Sequence, residues 1–320
     1  MRDLYQAVLQ EFKNRFEYIP RLFTAPGRIN LIGEHTDYNM GYVLPAAIDK
    51  EIVFALHKNE KNVFRFYSLD YDEYIEFERL ELKESAPLWS KYLIGTLAQF
   101  QEIDREISGF DCVFGGDIPL GAGLSSSAAL ECSFAYGINA ISSYKIPAFD
   151  LVKMAQKAEH EYAGVKCGIM DQYASVFGRK GQVFLLDCLS NTHQYFPLQM
   201  DDYILALVDT KVKHSLASSE YNVRRKECEN GVSYFQQFNS KITSLRQVSM
   251  KMIREHQANL DLITYKRCKY VIEENQRVLQ ATQALTEYNF ELLGKLLYLS
   301  HEGLRNLYEV SCTELDFLVD

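Results

Sequence analysis

Long apolar runs are missing from this 320-residue chain. No stretch approaches 18 apolar residues, the length at which a membrane-spanning helix becomes possible, and the first 16 residues are charged and amphipathic. We therefore expect no membrane span and no signal peptide. Apolar residues still make up 47% of the chain, which is enough for buried cores and too many for a disordered protein.

An excess of basic residues is also lacking, because the formal net charge is -9. Nucleic acid and anionic membranes select basic surfaces, so neither is expected as the main partner. A nucleotide such as ATP is not excluded. Anion sites are built locally from backbone N–H groups, a few basic side chains and a metal.

Paired cysteines are missing as well. The seven cysteines are scattered, and none forms a C-x-x-C pair. An odd number of cysteines in a chain of this size predicts reduced, mostly buried thiols, which is typical of a cytoplasmic protein.

Two common nucleotide-binding signatures are absent. No G-x-x-x-x-G-K-[ST] run exists, which excludes a P-loop protein. No H-R-D or D-F-G appears, which excludes a protein kinase.

Hydrophobic periodicity and turn residues predict a mixed first part and a helical second part. Around Gly27 the sequence is typical of a polar loop, and Asp150 is a plausible N-cap. The predicted strands are 41–57, 62–69, 110–118, 181–188 and 203–209, and the predicted helices are 4–16, 89–101, 125–139, one starting after Asp150, 215–239, 246–257, 266–286 and 289–309. This order predicts a two-domain α+β protein, with an N-terminal domain over 1–200 and a C-terminal domain over 201–320.

The end of the chain carries a further helix signal. Thr313 with Asp316 three residues later resembles a capping pattern, which would start a helix of about seven residues. So short a helix is marginal unless something packs on it. No strand pattern follows, so we expect the chain to stop inside an element.

The first group of chemically active residues lies in 28–38, with the sequence RINLIGEHTDY. Within eleven residues it contains a cation, two carboxylates, an imidazole and an amide. Sugar hydroxyls are bound by this kind of set, because carboxylates accept from pairs of hydroxyls while imidazole and amide act as oriented partners. A solvated charged loop gives a similar composition. A metal site through His35 and Asp37 is a third reading, although no second histidine completes a ligand set.

The second group is 119–129, PLGAGLSSSAA, where a predicted strand runs into a glycine-rich turn and a helix N-terminus with three serines. Glycines let the backbone approach a phosphate, and the first turn of a helix offers free N–H groups and a positive dipole end. A structural turn followed by a tightly packed helix has the same pattern.

The third group is Glu159 followed by 167–172, CGIMDQ. Glu159 falls near the end of the helix after Asp150, and Asp171 falls in a turn-like segment. An aspartate after a glycine is usually a cap or turn residue, so spacing alone does not decide its role.

Taken together, these segments resemble the GHMP family of small-molecule kinases and, within it, the galactokinases. The segment 27–38 is similar to the galactokinase sugar segment, 119–129 to the family's phosphate loop, and 167–172 to the segment of the catalytic aspartate. The segments 218–225 and 300–319 also follow the galactokinase pattern. The resemblance implies a ribosomal-S5-like N-terminal domain and a ferredoxin-like C-terminal domain.

The implied reaction is ATP-dependent phosphorylation of the C1 hydroxyl of galactose. Asp171 would be the general base, and Arg28 would lie between it and the phosphate. Ser127 and Glu159 would hold Mg²⁺. The residues implied for galactose are Glu34, His35, Thr36, Asp37, Gly168 and Tyr221. Those implied for ATP are Ser68, Trp89, Gly121, Ala122, Gly123, Leu124, Ser125, Ser126 and Ser127.

One family feature is not found. The third motif, of the G-x-G-F-G-G type, does not occur before the chain ends at Asp320. We therefore expect an incomplete C-terminal domain, exposed apolar surface on its helices and possible loss of activity. A partner chain could supply missing strands.

Two alternatives to a galactokinase remain open. The first is a non-catalytic galactose- and ATP-binding regulator, although the three serines, Arg28 and Asp171 are intact. The second is a kinase for a related sugar such as N-acetylgalactosamine.

Overall fold

The structure is a computed structural model that describes residues 3–78, 86–103, 107–200, 202–212 and 217–320, without the side chains of 217–220. The helices are α1 Leu4–Arg15, α2 Leu88–Gln101, α3 Ser126–Ser142, α4 Ala148–Ala158, α5 Met170–Phe177, α6 Ala217–Gln236, α7 Met250–Glu255, α8 Leu262–Thr286, α9 Phe290–Gly303 and α10 Thr313–Val319. The strands are β1 Arg21–Asn30, β2 Tyr42–Val43, β3 Pro45–Lys58, β4 Phe64–Ser68, β5 Glu73–Phe77, β6 Phe110–Gly116, β7 Gln182–Asp187 and β8 Thr192–Pro197.

The chain divides into two compact units. The first contains 1–29, 47–167 and 171–177, and the second contains 30–46, 168–170 and 178–320. Each unit is therefore assembled from segments that are distant in sequence. Asp201, at the predicted boundary between 200 and 201, lies outside the described residues, and that boundary stays a prediction.

The first unit is built on a five-stranded sheet of order β1-β3-β6-β4-β5. The sheet is covered on both faces, and the side chains of strand β3 alternate between the two. Phe54 and Leu56 pack into the core beneath α2 and α3, whereas Val53 and Ala55 pack into a second cluster with Val8 of α1 and its neighbours. A period of two in a strand buried on both sides gives a continuous apolar run.

The second unit combines a three-stranded antiparallel sheet, β2-β7-β8, with helices. One of its cores lies among α6, α8 and the π-helical turn Leu304–Tyr308 that continues α9. Phe235, Tyr270 and Tyr308 are fully buried there. None of the described helices is both long enough and apolar enough to cross a bilayer.

The predicted helices and four of the five predicted strands are found, with shifts at their ends. Helix α4 begins at Ala148 after Pro147, so Asp150 lies in its first turn and the prediction of an Asp150 N-cap is wrong. The predicted helix 246–257 is shorter, because 3₁₀ turns occupy Leu245–Gln247 and Gln257–Asn259. Helix α10 forms as expected, but Cys312 is its N-cap and Thr313 is its first residue.

The predicted strand 203–209 is wrong. This segment forms no strand, and Ile204 is 94% exposed. A run of apolar residues forms a strand only where a neighbouring strand supplies hydrogen bonds. Conversely, β1, β5, β8 and the helix α5 are absent from the sequence-based prediction.

The core of the first unit yields a stability prediction. The ring of Phe54 stacks between Phe114 and Phe134, with centroids 5.0 and 5.5 Å away, and is fully buried. We expect Phe54→Ala to lower the free energy of unfolding by about 3–5 kcal/mol, because it removes transfer energy and leaves a cavity. Urea denaturation measures this. Leu120→Ala, at a side chain that is 55% exposed, is the control and should cost little. Equal losses for both variants would contradict the assigned core.

Candidate active site

An arginine–aspartate pair lies in the first unit. Arg28 is near the end of β1, and Asp171 is the second residue of α5. The Nε and Nη2 atoms of Arg28 lie 2.8 and 2.6 Å from Asp171 Oδ1, and Nη1 donates to the carbonyl of Gly123 at 2.8 Å. Because the guanidinium is held at several points, its orientation is fixed relative to the carboxylate. The two side chains are 14% and 25% exposed, which leaves them accessible to a ligand.

The glycine-rich turn lies against the same pair. Gly121 and Gly123 have φ angles of 73° and 72°, a left-handed conformation that other residues rarely adopt. Ser125, at the N-cap of α3, is also left-handed, and its hydroxyl donates to Asp171 Oδ2 at 2.7 Å. Both carboxylate oxygens of Asp171 are therefore oriented, one by Arg28 and one by Ser125.

Strand β1 packs closely against this turn, and that packing requires a third glycine, Gly27. A Cβ atom on Gly27 would lie 2.7 Å from the carbonyl oxygen of Leu124. The backbone N–H of Arg28 donates to that oxygen at 3.1 Å. Gly27 is thus needed for the approach that places Arg28 beside the turn.

A second carboxylate in this unit is positioned next to a hydroxyl. Glu159 caps α4 and is 7% exposed, and Ser127 Oγ donates to its Oε1 at 3.3 Å. Gln172 Nε2 donates to its Oε2 at 2.6 Å. Burial, with a smaller effect from the charge of Asp171, raises the pKa of Glu159 to about 7. Negative charge on Glu159 is therefore unfavourable in the absence of a cation. Its carboxylate and the Ser127 hydroxyl are suitable oxygen donors for a divalent cation that also binds phosphates.

A fully buried carboxyl group lies behind Glu159. Gln172 Nε2 is 3.4 Å from Oε2 of Glu131, whose pKa burial raises well above its usual range. Gln172 therefore links the two carboxyl groups and fixes the side chain of Glu159. Neither Glu131 nor this role of Gln172 was predicted, since a glutamate inside an alanine-rich helix gives no sequence signal.

The predicted sugar-binding residues Asp37, Gly168 and Tyr221 come together in the second unit. Asp37 is 6% exposed, and a Cβ atom on Gly168 would lie 1.9 Å from its Oδ2. The backbone N–H of Gly168 donates to the hydroxyl of Tyr221 at 3.4 Å. Gly168 is required here because any larger residue would displace the Asp37 carboxylate.

His35 lies in the same unit beside an aromatic group. Its ring centroid is 5.5 Å from that of Tyr221 and 4.8 Å from that of Tyr308. Burial, with a smaller effect from Arg224, lowers the pKa of His35 to about 4. His35 is therefore neutral at physiological pH, so it can form hydrogen bonds but carries no charge.

Helix α8 holds the backbone of the segment 33–42. Glu274 is fully buried and accepts from the N–H of Gly33 at 2.9 Å, and the Tyr270 hydroxyl donates to the carbonyl of Glu34 at 3.0 Å. Asn275 Oδ1 accepts from the N–H of Tyr42 at 2.7 Å. These residues were missed by sequence reasoning, because they lie more than 230 positions away from their partners.

The other predicted residues have less direct placements. Thr36 is fully buried, and its hydroxyl donates to the carbonyls of Gly33 and Tyr42, so it stabilises the turn. Ser68 is fully buried at the end of β4. Trp89 is 5% exposed in the core, and its indole N–H donates to Glu73 at 2.7 Å. A role of Ser68 or Trp89 in nucleotide binding stays a prediction. The side chains of Ser218, Ser219 and Glu220 lie outside the described residues.

Two family models match segments of the chain that include Arg28, Asp37 and Asp171. Residues 10–58 match the galactokinase galactose-binding signature, and residues 91–179 match the GHMP kinases N-terminal domain. The galactokinase of Thermotoga maritima is 45% identical over 296 residues, which cover 92% of this chain and 81% of that protein. The chain belongs to the galactokinase family.

Further relatives agree with this membership. The galactokinase of Actinobacillus pleuropneumoniae serotype 5b is 36% identical over 98% of this chain and 82% of its own length. The crystal structure of Lactococcus lactis galactokinase complexed with galactose matches with a TM-score of 0.89 at 33% identity, covering 99% of this chain and 83% of that one. The mevalonate kinase of Methanococcus jannaschii shares the fold, with a TM-score of 0.58 at 16% identity, covering 93% and 82%. The predicted two-domain GHMP kinase fold is confirmed.

The raised pKa of Glu159 gives a prediction for this galactokinase-family chain. The folded-state value of about 7 lies above the ordinary value of 4.5, so the ionised carboxylate opposes folding. This penalty is absent below about pH 4.5, grows between 4.5 and 7, and is complete above 7. In magnesium-free buffer at pH 8, we expect Glu159→Gln to be more stable than the unmodified chain by about 1–3 kcal/mol.

Urea denaturation at several pH values measures this difference, which should vanish near pH 4.5. Glu161→Gln, at a side chain that is 47% exposed two positions away, is the control and should show no such dependence. A stability loss at pH 8 that does not change with pH would contradict the account of Glu159.

Proposed function

We propose that this chain transfers the γ-phosphate of ATP to the C1 hydroxyl of galactose, through Asp171 and Arg28. The observation that carries this proposal is the orientation of Asp171. Arg28 binds one of its oxygens, Ser125 binds the other, and both partners belong to or contact the glycine-rich turn. A carboxylate fixed beside a phosphate loop is suited to accept a hydroxyl proton at the point of transfer.

In this reaction Asp171 accepts the proton of the C1 hydroxyl as the oxygen attacks the γ-phosphorus. The bond between that phosphorus and the β,γ-bridging oxygen breaks, and ADP leaves. The guanidinium of Arg28 stabilises the negative charge that develops on the transferred group. It also fixes the position of the carboxylate, so the base does not have to be ordered during the reaction. Phosphoryl transfer depends mainly on such positioning and on neutralisation of charge.

Magnesium is the metal that fits the second carboxylate. Ser127 Oγ and Glu159 would hold Mg²⁺, which when bound supplies charge neutralisation at the β- and γ-phosphates. Mg²⁺ is usually bound by one or two carboxylates plus substrate phosphates, and so small a protein ligand set is sufficient. Among the described residues no group of three or more His, Cys, Asp or Glu side chains could hold a metal without the nucleotide.

The sugar is assigned to the cluster of the second unit. Asp37 and Glu34 would accept from galactose hydroxyls, while His35, Gly168 and Tyr221 would complete the contacts. Support comes from the galactose-binding signature over 10–58 and from the galactose complex of the Lactococcus lactis relative. In sequence, Gly168 lies three residues before Asp171, so one short segment contributes both to the sugar cluster and to the base.

A test of the base compares two aspartate substitutions. We expect Asp171→Ala to lower kcat at least about 1,000-fold, the loss typical of removing an essential general base and its oriented contacts. Binding of ATP and of galactose, measured by calorimetry, should remain. Asp150→Ala, at a side chain that is 45% exposed and forms an ion pair with Lys153, is the control. Normal turnover of Asp171→Ala in a coupled ADP-release assay would exclude Asp171 as the base.

The sugar cluster is tested by two glycine substitutions. Gly168→Ala should weaken galactose binding at least about tenfold, because the new Cβ displaces the Asp37 carboxylate. Gly294→Ala is the control, since a Cβ there meets no atom within 4 Å. Assaying N-acetylgalactosamine beside galactose tests the related-sugar alternative. An unchanged KM for galactose in Gly168→Ala would remove this cluster from the sugar site.

A further inference from the structure

A hydroxyl group is hydrogen-bonded to the ring of His35. The Tyr38 hydroxyl lies 2.9 Å from His35 Nδ1, and Tyr38 is 8% exposed in the 3₁₀ turn Asp37–Asn39. The backbone of His35 itself is left-handed, with a φ of 62°. The ring of His35 is therefore held by a specific partner at one of its two nitrogens.

Behind Tyr38 the hydrogen bonds continue into the core of the second unit. The hydroxyl of Tyr308 lies 2.7 Å from that of Tyr38, and the sulfur of Cys228 lies 3.2 Å from the Tyr308 hydroxyl. Tyr308 is fully buried and Cys228 is 1% exposed. Four groups, His35, Tyr38, Tyr308 and Cys228, thus form one chain of hydrogen bonds.

Each of these groups can donate once, and if both buried phenol protons are used within the chain, two directions are possible. In the first, the Cys228 thiol donates to Tyr308, Tyr308 to Tyr38, and Tyr38 to His35 Nδ1. In the second, His35 Nδ1–H donates to Tyr38, Tyr38 to Tyr308, and Tyr308 to the sulfur of Cys228. Sulfur is a weak acceptor and an imidazole nitrogen is a strong one. In the first direction the strong acceptor, the imidazole nitrogen, receives a phenol proton. No buried phenol then has to donate to the weak sulfur acceptor.

The direction matters because His35 is neutral. A neutral imidazole carries one proton, and the hydrogen bond at one nitrogen decides which nitrogen holds it. If Nδ1 accepts from Tyr38, the proton is on Nε2. That nitrogen then acts as a donor and is suited to an oxygen of a sugar hydroxyl.

We propose that Tyr38 is a positioning residue for sugar recognition, which donates to His35 Nδ1 and so holds His35 with its proton on Nε2. Tyr308 and Cys228 fix the direction of the Tyr38 hydroxyl. The inference rests on the proposed function for its link to galactose. Its structural part concerns the free protein and is independent of turnover.

The tautomer of His35 is measured directly by ¹⁵N NMR on the full chain labelled at histidine, in the absence of sugar. The His35 signals are assigned by their loss in His35→Gln. We expect the proton on Nε2 in the unmodified chain and a substantial Nδ1–H population in Tyr38→Phe. The measurement on the unmodified chain needs no variant at Tyr38, so it tests the inference even if Tyr38→Phe does not fold.

Kinetics provide the second readout. Tyr38→Phe should raise the KM for galactose about three- to tenfold, the range for loss of one neutral hydrogen bond, while kcat and the KM for ATP stay within about twofold. Tyr234→Phe is the matched control, because the Tyr234 hydroxyl lies 3.1 Å from Nδ1 of His256 in the same unit. It should leave the His35 signals and the galactose KM unchanged.

The outcomes separate the two claims. A proton on Nδ1 of His35 in the unmodified chain overturns the inference, as does a folded Tyr38→Phe with an unchanged tautomer and an unchanged galactose KM. If the unmodified chain does not phosphorylate galactose, the proposed function fails. The NMR result then still decides whether Tyr38 sets the tautomer of His35.

Discussion

The contact of Arg28 with Asp171 and Gly123 is the interaction on which the reacting centre depends. One guanidinium joins strand β1, the glycine-rich turn and helix α5, so Asp171 and the turn cannot shift independently. Gly27 makes this possible by letting β1 approach the carbonyl of Leu124. The side chain is a structural contact, and in the proposed reaction it is also the cation beside the transferred phosphate.

The sugar cluster is held by a different means. The segment 33–42 contains few apolar side chains, and its backbone is fixed by polar contacts from α8. The main one is the hydrogen bond that the buried Glu274 carboxylate accepts from the N–H of Gly33. A buried carboxylate is stable only when it is fully hydrogen-bonded, and Ser300 and Arg277 also donate to Glu274. Sugar-binding groups on such a segment are arranged before a ligand arrives, which lowers the cost of binding.

Local patterns predicted the described helices other than α5 and most of the strands, whereas the candidate site residues came from the resemblance to the galactokinases. Strand β1 was missed because Gly27 and Pro26 are typical of loops, whereas here close approach to Leu124 requires the glycine. The strand expected at 203–209 was wrong because pairing with a neighbouring strand, and not an apolar run alone, decides whether a strand forms. Glu131, Gln172 and Glu274 were missed because their roles come from partners that are distant in sequence.

We expect the donor geometry of the Arg28 guanidinium, and not its charge alone, to organise the proposed reacting centre. The most direct measurement is the kcat of Arg28→Lys in an ADP-release assay with galactose. Arg21→Lys, on the same strand at a side chain that contacts the Ala140 carbonyl, is the control. Lysine keeps the charge but not the fork of donors, so we expect kcat to fall about 100-fold or more while ATP and galactose binding stay nearly unchanged. A kcat equal to that of the unmodified chain would contradict the account.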